Sequence, residues 1–282
     1  NDLADEVVGM WVSTGANVDG AENVAIQTYQ NDGKAYFTGG FAPEENGYET
    51  KAESTYKVIG NLMIQKMPAG ATVAYITRRL TYVPNGTTYG DILICESSIL
   101  GTTTSWLRVK QHLDLAGQNY NYIRTFVSNV KGEDKDIDFM GYTFNFAKMD
   151  GSGLDKMLKA LLFAVEFPDA NTLGYSYQMN GNKETYNSPI VVESNTMTIK
   201  MSEKVATLKD VVLYAFQDAD CSQMHFYMHK TAFVNFYTNM QAMLMEATDE
   251  QFDINNAEAV NAIYDNINNA VETINVSLVM SK

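Results

Sequence analysis

The feature that most constrains this fold is a strand–turn–strand pattern that occurs twice along the chain. The first copy comprises residues 9–11, 29–34 and 61–67, and the second comprises residues 141–143, 177–183 and 195–201. In both copies a Tyr-Gln pair precedes a Gly-containing turn, and a later segment begins with Asn and ends with Lys-Met. Because internal similarity of this kind indicates a duplicated architecture, the sequence predicts two copies of one β fold.

Length and charge restrict the class of protein. A chain of 282 residues is long enough for two domains that each bury a hydrophobic core. The formal net charge of −14 disfavours nucleic acid, because neutralising phosphates requires clustered Lys and Arg. An anionic membrane surface also repels an acidic chain. We therefore expect no nucleic-acid partner, and membrane association only through a lipid anchor outside this chain.

The chain begins with Asn-Asp-Leu-Ala-Asp-Glu and not with Met. We interpret this start as that of a mature chain whose secretion signal has been removed. Two cysteines, Cys95 and Cys221, each lie within apolar, strand-like sequence. Such cysteines usually act as small buried apolar residues, and a disulfide between them is the less favoured alternative.

The first half of the sequence alternates apolar and polar residues, which is typical of antiparallel strands. Tight-turn signals such as Asn31-Asp32-Gly33 separate these strands. Eight or nine strands follow in simple succession, a number that closes an up-and-down barrel and removes the unpaired edges. The charged segment 131–138 interrupts this pattern. We therefore predict one domain over residues 1–136 and a second over residues 137–282.

The second half is predicted to contain further strands and three helices. Apolar residues recur with helical periodicity over residues 153–166, 231–247 and 256–272. Residues 273–280 alternate cleanly and predict a final strand. The predicted fold class is mainly β, with two tandem antiparallel meander β-barrels, the second carrying one inserted helix and two C-terminal helices.

The entry into the first strand resembles that of a known family. Gly9-Met10-Trp11, followed by a meander of short strands, resembles the lipocalin-like domains of the calycin type. The chain also resembles exported lipocalin-like proteins and lipoproteins of uncharacterised function from gut Bacteroidetes. This resemblance implies a closed barrel end at Gly9 and Trp11, where an Arg from the last strand packs across the indole. Arg124 is the candidate for that Arg. The resemblance further implies a location in the bacterial cell envelope, as a periplasmic protein or an outer-membrane lipoprotein.

Two patterns in the sequence resemble metal sites. Cys221, His225 and His229 are spaced four residues apart, but the local sequence is strand-like and would separate neighbours by roughly 13 Å. The acidic run at 134–138 resembles the start of a calcium loop, but Phe139 stands where such a loop requires Gly. We therefore predict no metal and no cofactor.

Catalytic motifs are missing from the sequence. It contains no Gly-x-Ser-x-Gly motif, no phosphate-binding loop and no dinucleotide fingerprint. Three histidines offer few partners for a Ser-His-Asp triad. Carboxylates are abundant, but an acid–base pair depends on tertiary geometry. We predict that the protein is not an enzyme and has no catalytic residues, with a hydrolase as the least favoured alternative.

The candidate ligand-binding residues are Trp106, Arg108, Tyr122 and Arg124, on two strands joined by a short turn. If their shared side faces the barrel interior, they hold a carboxylate or a polar ring by stacking and charge-assisted hydrogen bonds. A shift of one residue would instead place them outside a filled barrel. We predict a non-enzymatic protein that binds a small apolar or amphipathic molecule. The alternative is an interaction module with filled barrels, which docks a protein or a glycan through exposed aromatic residues.

Overall fold

A computed structural model describes residues 2–13, 25–39, 52–87, 90–139, 141–179 and 182–282. The chain is mainly β there, as predicted, and it forms two compact units. The first unit comprises Asn1–His112 and Phe216–Ser222, and the second comprises Leu113–Ala215 and Gln223–Lys282. The boundary between the units lies after His112, well before the charged segment 131–138. The units therefore differ from the predicted domains 1–136 and 137–282.

The first unit contains a short helix, α1 Ala4–Val7, and an antiparallel barrel. The strands of this first barrel are β1 Gly9–Ser13, β2 Ala25–Tyr29, β3 Lys34–Gly39, β4 Ala52–Ile59, β5 Leu62–Ala69, β6 Thr72–Thr87, β7 Gly90–Ser97 and β8 Thr102–Val109. Each strand pairs with the next, and β8 pairs with β1 through Met10↔Val109 and Trp11↔Arg108. The eight strands therefore form a closed barrel without an unpaired edge.

Alternate residues of each strand point into the first barrel and form its core. The largest fully buried side chains there are those of Trp11, Tyr29, Met63, Leu80 and Leu93. Helix α1 is fixed to one end of this core, because the Trp11 indole donates a hydrogen bond to Val7 O at 2.8 Å. Burying large side chains on this scale supplies most of the favourable free energy of folding.

The second unit contains a second ring of strands with inserted elements. In chain order these are β9 Asn119–Gly132, β10 Asp136–Phe139, β11 Tyr142–Asn145, α2 Ser152–Leu161, β12 Leu162–Asp169, β13 Thr172–Met179, β14 Asn182–Glu193, β15 Thr196–Ile199, β16 Val211–Gln217, β17 Gln223–Met228, α3 Lys230–Thr248, α4 Ala257–Ala270 and β18 Val271–Ser281. Strands β12 to β18 follow one another, and β9 closes the ring between β18 and β12. We call this ring the second barrel. Strands β10 and β11 form a separate hairpin.

Strand β9 differs from the prediction, which placed it at the end of the first barrel. It pairs with β12 and β18 in the second barrel instead. The physical reason is closure. Eight strands already complete the first barrel and leave no edge for a ninth, whereas the seven strands β12–β18 need one more partner to close.

Helices α3 and α4 span nearly the residues for which the sequence predicted helices. The predicted helix over 153–166 is shorter, because α2 ends at Leu161 and the chain continues directly as β12. Val165 and Phe167 alternate towards the interior of the second barrel and are buried there. Strand pairing at these positions therefore overrides the local helical periodicity.

One of the three repeated segments occupies equivalent turns in the two barrels. Residues 61–67 follow the turn between the fourth and fifth strands of the first barrel, and residues 195–201 follow the same turn of the second. Gly60 and Ser194 lie in this turn in the same left-handed conformation, with φ of 61° and 57°. The local backbone is therefore alike in the two turns.

The hydrogen bond after this turn also matches. The carbonyl of Asn61 accepts from Leu80 N on the sixth strand of the first barrel, at 2.8 Å. The carbonyl of Asn195 accepts from Ala215 N on the sixth strand of the second barrel, also at 2.8 Å.

The other two repeated segments do not occupy equivalent positions. Residues 29–34 connect the second and third strands of the first barrel, whereas residues 177–183 connect the third and fourth strands of the second. Residues 141–143 lie at the β10–β11 hairpin, outside the ring. Hairpin turn signals are local, so they can recur at different positions of a meander.

Candidate functional site

The second barrel contains an apolar cavity of about 110 Å³. Strand side chains that line it include Leu173, Val211, Leu213, Phe226 and Met228. All five are at least nine-tenths buried. They reach the interior because each strand of the ring directs every second residue inward, which is the two-residue period that the sequence shows.

Helices α2 and α3 complete the lining of the cavity. Helix α2 contributes Met157 and Leu161, and helix α3 contributes Phe236 and Met240. Methionine side chains are flexible and adapt to apolar partners of different shape. Met157 and Met240 therefore allow the helical side of the cavity to adapt.

Helix α2 is held to β9 by one carboxylate. Asp155 Oδ1 accepts hydrogen bonds from the Tyr122 hydroxyl at 2.7 Å and from Thr125 N at 2.8 Å. Burial acts to raise the pKa of Asp155, but these two hydrogen bonds, together with the hydrogen bond and positive charge of Lys159, outweigh it and hold that pKa below its usual value. Gly151 begins the helix with φ of 84°, and a Cβ there would lie 2.9 Å from Val127 Cβ. Glycine is therefore required for α2 to approach β9 this closely.

Helix α3 is held by the amide of Asn239. Its Nδ2 donates to Lys209 O at 2.7 Å, and its Oδ1 accepts from Lys209 N at 2.9 Å. Asn239 also lines the cavity, but these two bonds occupy its polar atoms. Its role is therefore to position α3 and not to bind a molecule in the cavity.

Tyr175 on β13 supplies a different kind of polar group. It lines the cavity, it is 9% exposed, and its buried hydroxyl forms no hydrogen bond of good geometry within the described residues. The hydroxyl of the neighbouring Ser188 is directed to Met201 Sδ at 3.2 Å. Burial raises the pKa of Tyr175, and a loose hydrogen-bonding contact with the Ser188 hydroxyl opposes this to a smaller extent. The phenol therefore stays protonated.

The four candidate residues from the sequence do not come together. Trp106 and Arg108 lie on β8 of the first barrel, where their side chains face inward, whereas Tyr122 and Arg124 lie on β9 of the second. Strands β8 and β9 do not pair, because β8 closes the first barrel with β1. The predicted pairing across the short turn is therefore wrong, because the two strands belong to different barrels.

Each of these four side chains has a local partner. The Trp106 indole donates to Thr104 Oγ1 at 2.9 Å. Arg124 lies over the Phe126 ring, with its guanidinium carbon 4.4 Å from the ring centre. The partner of Trp11 is Arg108 and not Arg124. The prediction of Arg124 as that partner is wrong because β9 belongs to the second barrel.

Tyr175 was not among the predicted site residues, although its strand carries a recognisable pattern. Leu173, Tyr175 and Tyr177 alternate along β13, which places all three on one face of a strand. The two-residue alternation predicts that these side chains share one face of the strand. Only the tertiary structure shows that this face borders a cavity.

The structure places the residues of the two metal-like patterns as follows. Within the described ranges, no group of three or more His, Cys, Asp or Glu side chains is placed to hold a metal ion. Asp134 instead accepts hydrogen bonds from Asn145 at 2.8 Å and from Lys148 at 2.6 Å. Cys95 and Cys221 are both buried and form no disulfide.

Comparisons with known proteins found no matching family model, curated protein or solved structure. In the portion of the chain that the structure describes, no helix has the length and apolar character to span a membrane.

Proposed function

We propose that this protein is a non-enzymatic binding protein for a small apolar or amphipathic molecule, held inside the second barrel. The observation that carries this proposal is the apolar cavity of about 110 Å³ beside the buried Tyr175 hydroxyl. Packed interiors rarely leave such space, and an apolar cavity of roughly 150 Å³ in another protein stays dry and binds benzene.

The dimensions and chemistry of the cavity define the ligand class. A volume of this size suits one small ring or a short alkyl chain. In this proposal the Tyr175 hydroxyl, which is buried behind an almost wholly apolar lining, turns to donate to a ligand oxygen, and the flexible Met157 and Met240 adjust to the ligand. The occupant is therefore a compact apolar molecule with at most one polar end.

The fold proposal is that the two barrels are tandem, lipocalin-like copies of one unit. The equal ring size, the matching left-handed turns at Gly60 and Ser194, and the matching bonds of Asn61 and Asn195 support it. We also propose a location in the bacterial envelope. Fractionation of the native host tests that location, and a purely cytoplasmic pool would contradict it.

Binding of n-hexanol and toluene tests the proposed function. Both ligands are expected to raise the melting temperature saturably, and native mass spectrometry of protein from its own host is expected to show a retained small molecule. Val211→Phe places a ring in the cavity and is expected to abolish both shifts. Val191→Phe is the matched control, because Val191 is 48% exposed on β14 of the same barrel.

Circular dichroism establishes that both variants fold. The proposal fails if the unmodified protein shows no saturable shift with either ligand. It also fails if folded Val211→Phe protein binds the two ligands as well as Val191→Phe does.

The alternative is an interaction module that docks a protein or a glycan. It is favoured by exposed apolar side chains in the first unit, including Tyr75 at 61% and Ile99 at 69% exposure. Tyr75→Ser and Ile99→Ser would then weaken capture of a partner without changing hexanol binding. Unchanged capture in the double variant would contradict this alternative.

A further inference from the structure

The interior of the first barrel changes from apolar to polar along its strands. The mainly apolar, buried layer comprises Trp11, Tyr29, Met63, Leu80, Leu93 and Trp106. On each of these strands the residue two positions further towards one barrel end also faces inward, because side chains alternate. Those residues are Ser13, Gln27, Gln65, Arg78, Cys95 and Thr104. We call this second set the polar layer.

Arg78 is held in the polar layer by a chain of hydrogen bonds. Its Nη1 donates to Gln65 Oε1. Gln65 Nε2 in turn donates to Ser54 Oγ at 2.7 Å, and Ser54 Oγ donates to Ala35 O at 3.4 Å. These hydrogen bonds link residues of β6, β5 and β4 and end at a carbonyl of β3. They therefore hold the Arg78 guanidinium in one position inside the barrel.

The charge of Arg78 has no protein counter-ion within the described residues. No Asp or Glu of those residues forms an ion pair with it, whereas Arg108 in the same barrel pairs with Asp91 at 3.3 Å. Cys95 does not neutralise it, because burial raises the pKa of that thiol to about 12 despite the opposing effect of Arg78. A partly buried guanidinium that has no counter-ion among the described residues favours an anion bound beside it.

A second polar atom in this layer also lacks a partner. Ser13 is 3% exposed, and its buried Oγ has no hydrogen-bond partner among the residues that the structure describes. Buried hydroxyl groups normally form a hydrogen bond, so the Ser13 hydroxyl is able to bond to a molecule bound in this layer. Ser13 and Arg78 belong to the same layer, and the two observations are independent.

We propose that the polar layer of the first barrel binds a small carboxylate. Its charged end pairs with the Arg78 guanidinium, whose planar fork matches a carboxylate group. Its apolar body extends towards Ile76 and Met67, the next inward residues on β6 and β5. A single guanidinium balances one negative charge, whereas a dianionic phosphate would leave an uncompensated charge in the interior. This site is separate from the cavity of the second barrel.

Tryptophan fluorescence provides a readout confined to this barrel. The chain contains two tryptophans, Trp11 and Trp106, and both are buried in the first barrel. Sodium hexanoate is expected to change their emission saturably, at constant ionic strength. The uncharged n-hexanol, which probes the second barrel, is expected to leave the emission unchanged.

Arg78→Gln removes the charge and keeps a polar side chain. We expect it to weaken hexanoate binding about tenfold or more. Arg79→Gln is the matched control, because Arg79 is the next residue on β6 and is exposed on the outer face. It is expected to leave hexanoate affinity unchanged. Arg78→Lys keeps the charge without the planar fork, so it should bind with intermediate affinity and still report if Arg78→Gln does not fold.

Three results would overturn the proposal. One is the absence of a saturable hexanoate response in the unmodified protein. Another is equal hexanoate affinity in the folded Arg78 and Arg79 variants. The last is saturable binding of inorganic phosphate without binding of hexanoate, which would exclude the carboxylate as the ligand class. None of these results bears on binding in the second barrel, since hexanol and Val211→Phe test that site separately.

Discussion

The guanidinium of Arg108 lies over the ring of Trp11, with its central carbon 4.3 Å from the ring centre. The same guanidinium donates to Val8 O at 2.7 Å and to Glu6 O, and it pairs with Asp91 at 3.3 Å. One side chain therefore joins the first and last strands of the first barrel to the chain around α1. This arrangement closes that end of the barrel.

Gly9 makes room for this contact. It has φ of 135°, and a Cβ at this position would lie 2.9 Å from Arg108 Nη1. The glycine and tryptophan of the Gly9-Met10-Trp11 segment therefore serve one purpose. Glycine admits the guanidinium, and tryptophan provides the ring on which it stacks.

Replacing Arg108 by Lys should destabilise the first barrel. Lysine keeps the charge but loses the planar stacking and the forked hydrogen bonds, so we expect the free energy of unfolding to fall by about 2 kcal/mol. Near-UV circular dichroism of the two tryptophans follows this barrel. The exposed Arg79→Lys is the control, and equal stability of the two variants would contradict a closing role for Arg108.

The equivalent turns can be tested by exchanging their residues. Ser194 adopts φ of 57° with a side chain, whereas Gly60 adopts φ of 61° without one. Relief of left-handed strain should make Ser194→Gly more stable by roughly 0.5–1 kcal/mol, and Gly60→Ser less stable by a similar amount. Urea unfolding measures both changes. Destabilisation by Ser194→Gly would show that the serine makes a contact that outweighs the strain.

Tyr175→Phe removes a buried hydroxyl that lacks a good partner. Because such a group pays a desolvation cost, we expect the free energy of unfolding to stay constant or to rise by up to about 1 kcal/mol. Affinity for n-hexanol should fall, while affinity for toluene should not. Calorimetric titration with the two ligands separates these effects. A clear loss of stability would mean that the hydroxyl is satisfied in the folded protein.

The pH dependence of stability should carry a contribution from His225. Burial, together with the positive charge of Arg124, lowers the pKa of His225 to about 4. In the unfolded chain a histidine titrates near 6.5. Between about pH 6.5 and 4 the unfolded chain therefore binds a proton that the folded chain does not, so stability falls as the pH falls.

His225→Gln should remove that contribution. Relative to this variant, we expect the unmodified protein to lose on the order of 2 kcal/mol between pH 7 and 4. Chemical denaturation at a series of pH values measures the difference. The exposed His112→Gln provides the matched control. Parallel pH profiles for the unmodified protein and His225→Gln would contradict the lowered pKa.

Local sequence patterns predicted the mainly β class and the approximate ranges of α3 and α4. These patterns gave the wrong structure where a segment could form either of two elements or join either of two barrels. The helical period of 153–166 continued past Leu161, but the segment from Leu162 pairs as β12 because an open ring needs that strand. The same requirement for ring closure explains why Arg124 does not pack on Trp11. Its strand reads like the end of the first meander, but it closes the second ring.

The sequence by itself determined which residues alternate, where turns with positive φ occur and which strands follow one another. Those properties depend on neighbours within a few residues, so periodicity and turn chemistry report them directly. Only the tertiary structure decided which strand closes each ring, that Arg108 meets Trp11, and that Tyr175 and Arg78 lie inside different barrels. These outcomes depend on pairing between segments that are distant in the sequence. All strands of a barrel contribute to the free energy of closing it, so no single position reveals which strand completes the ring.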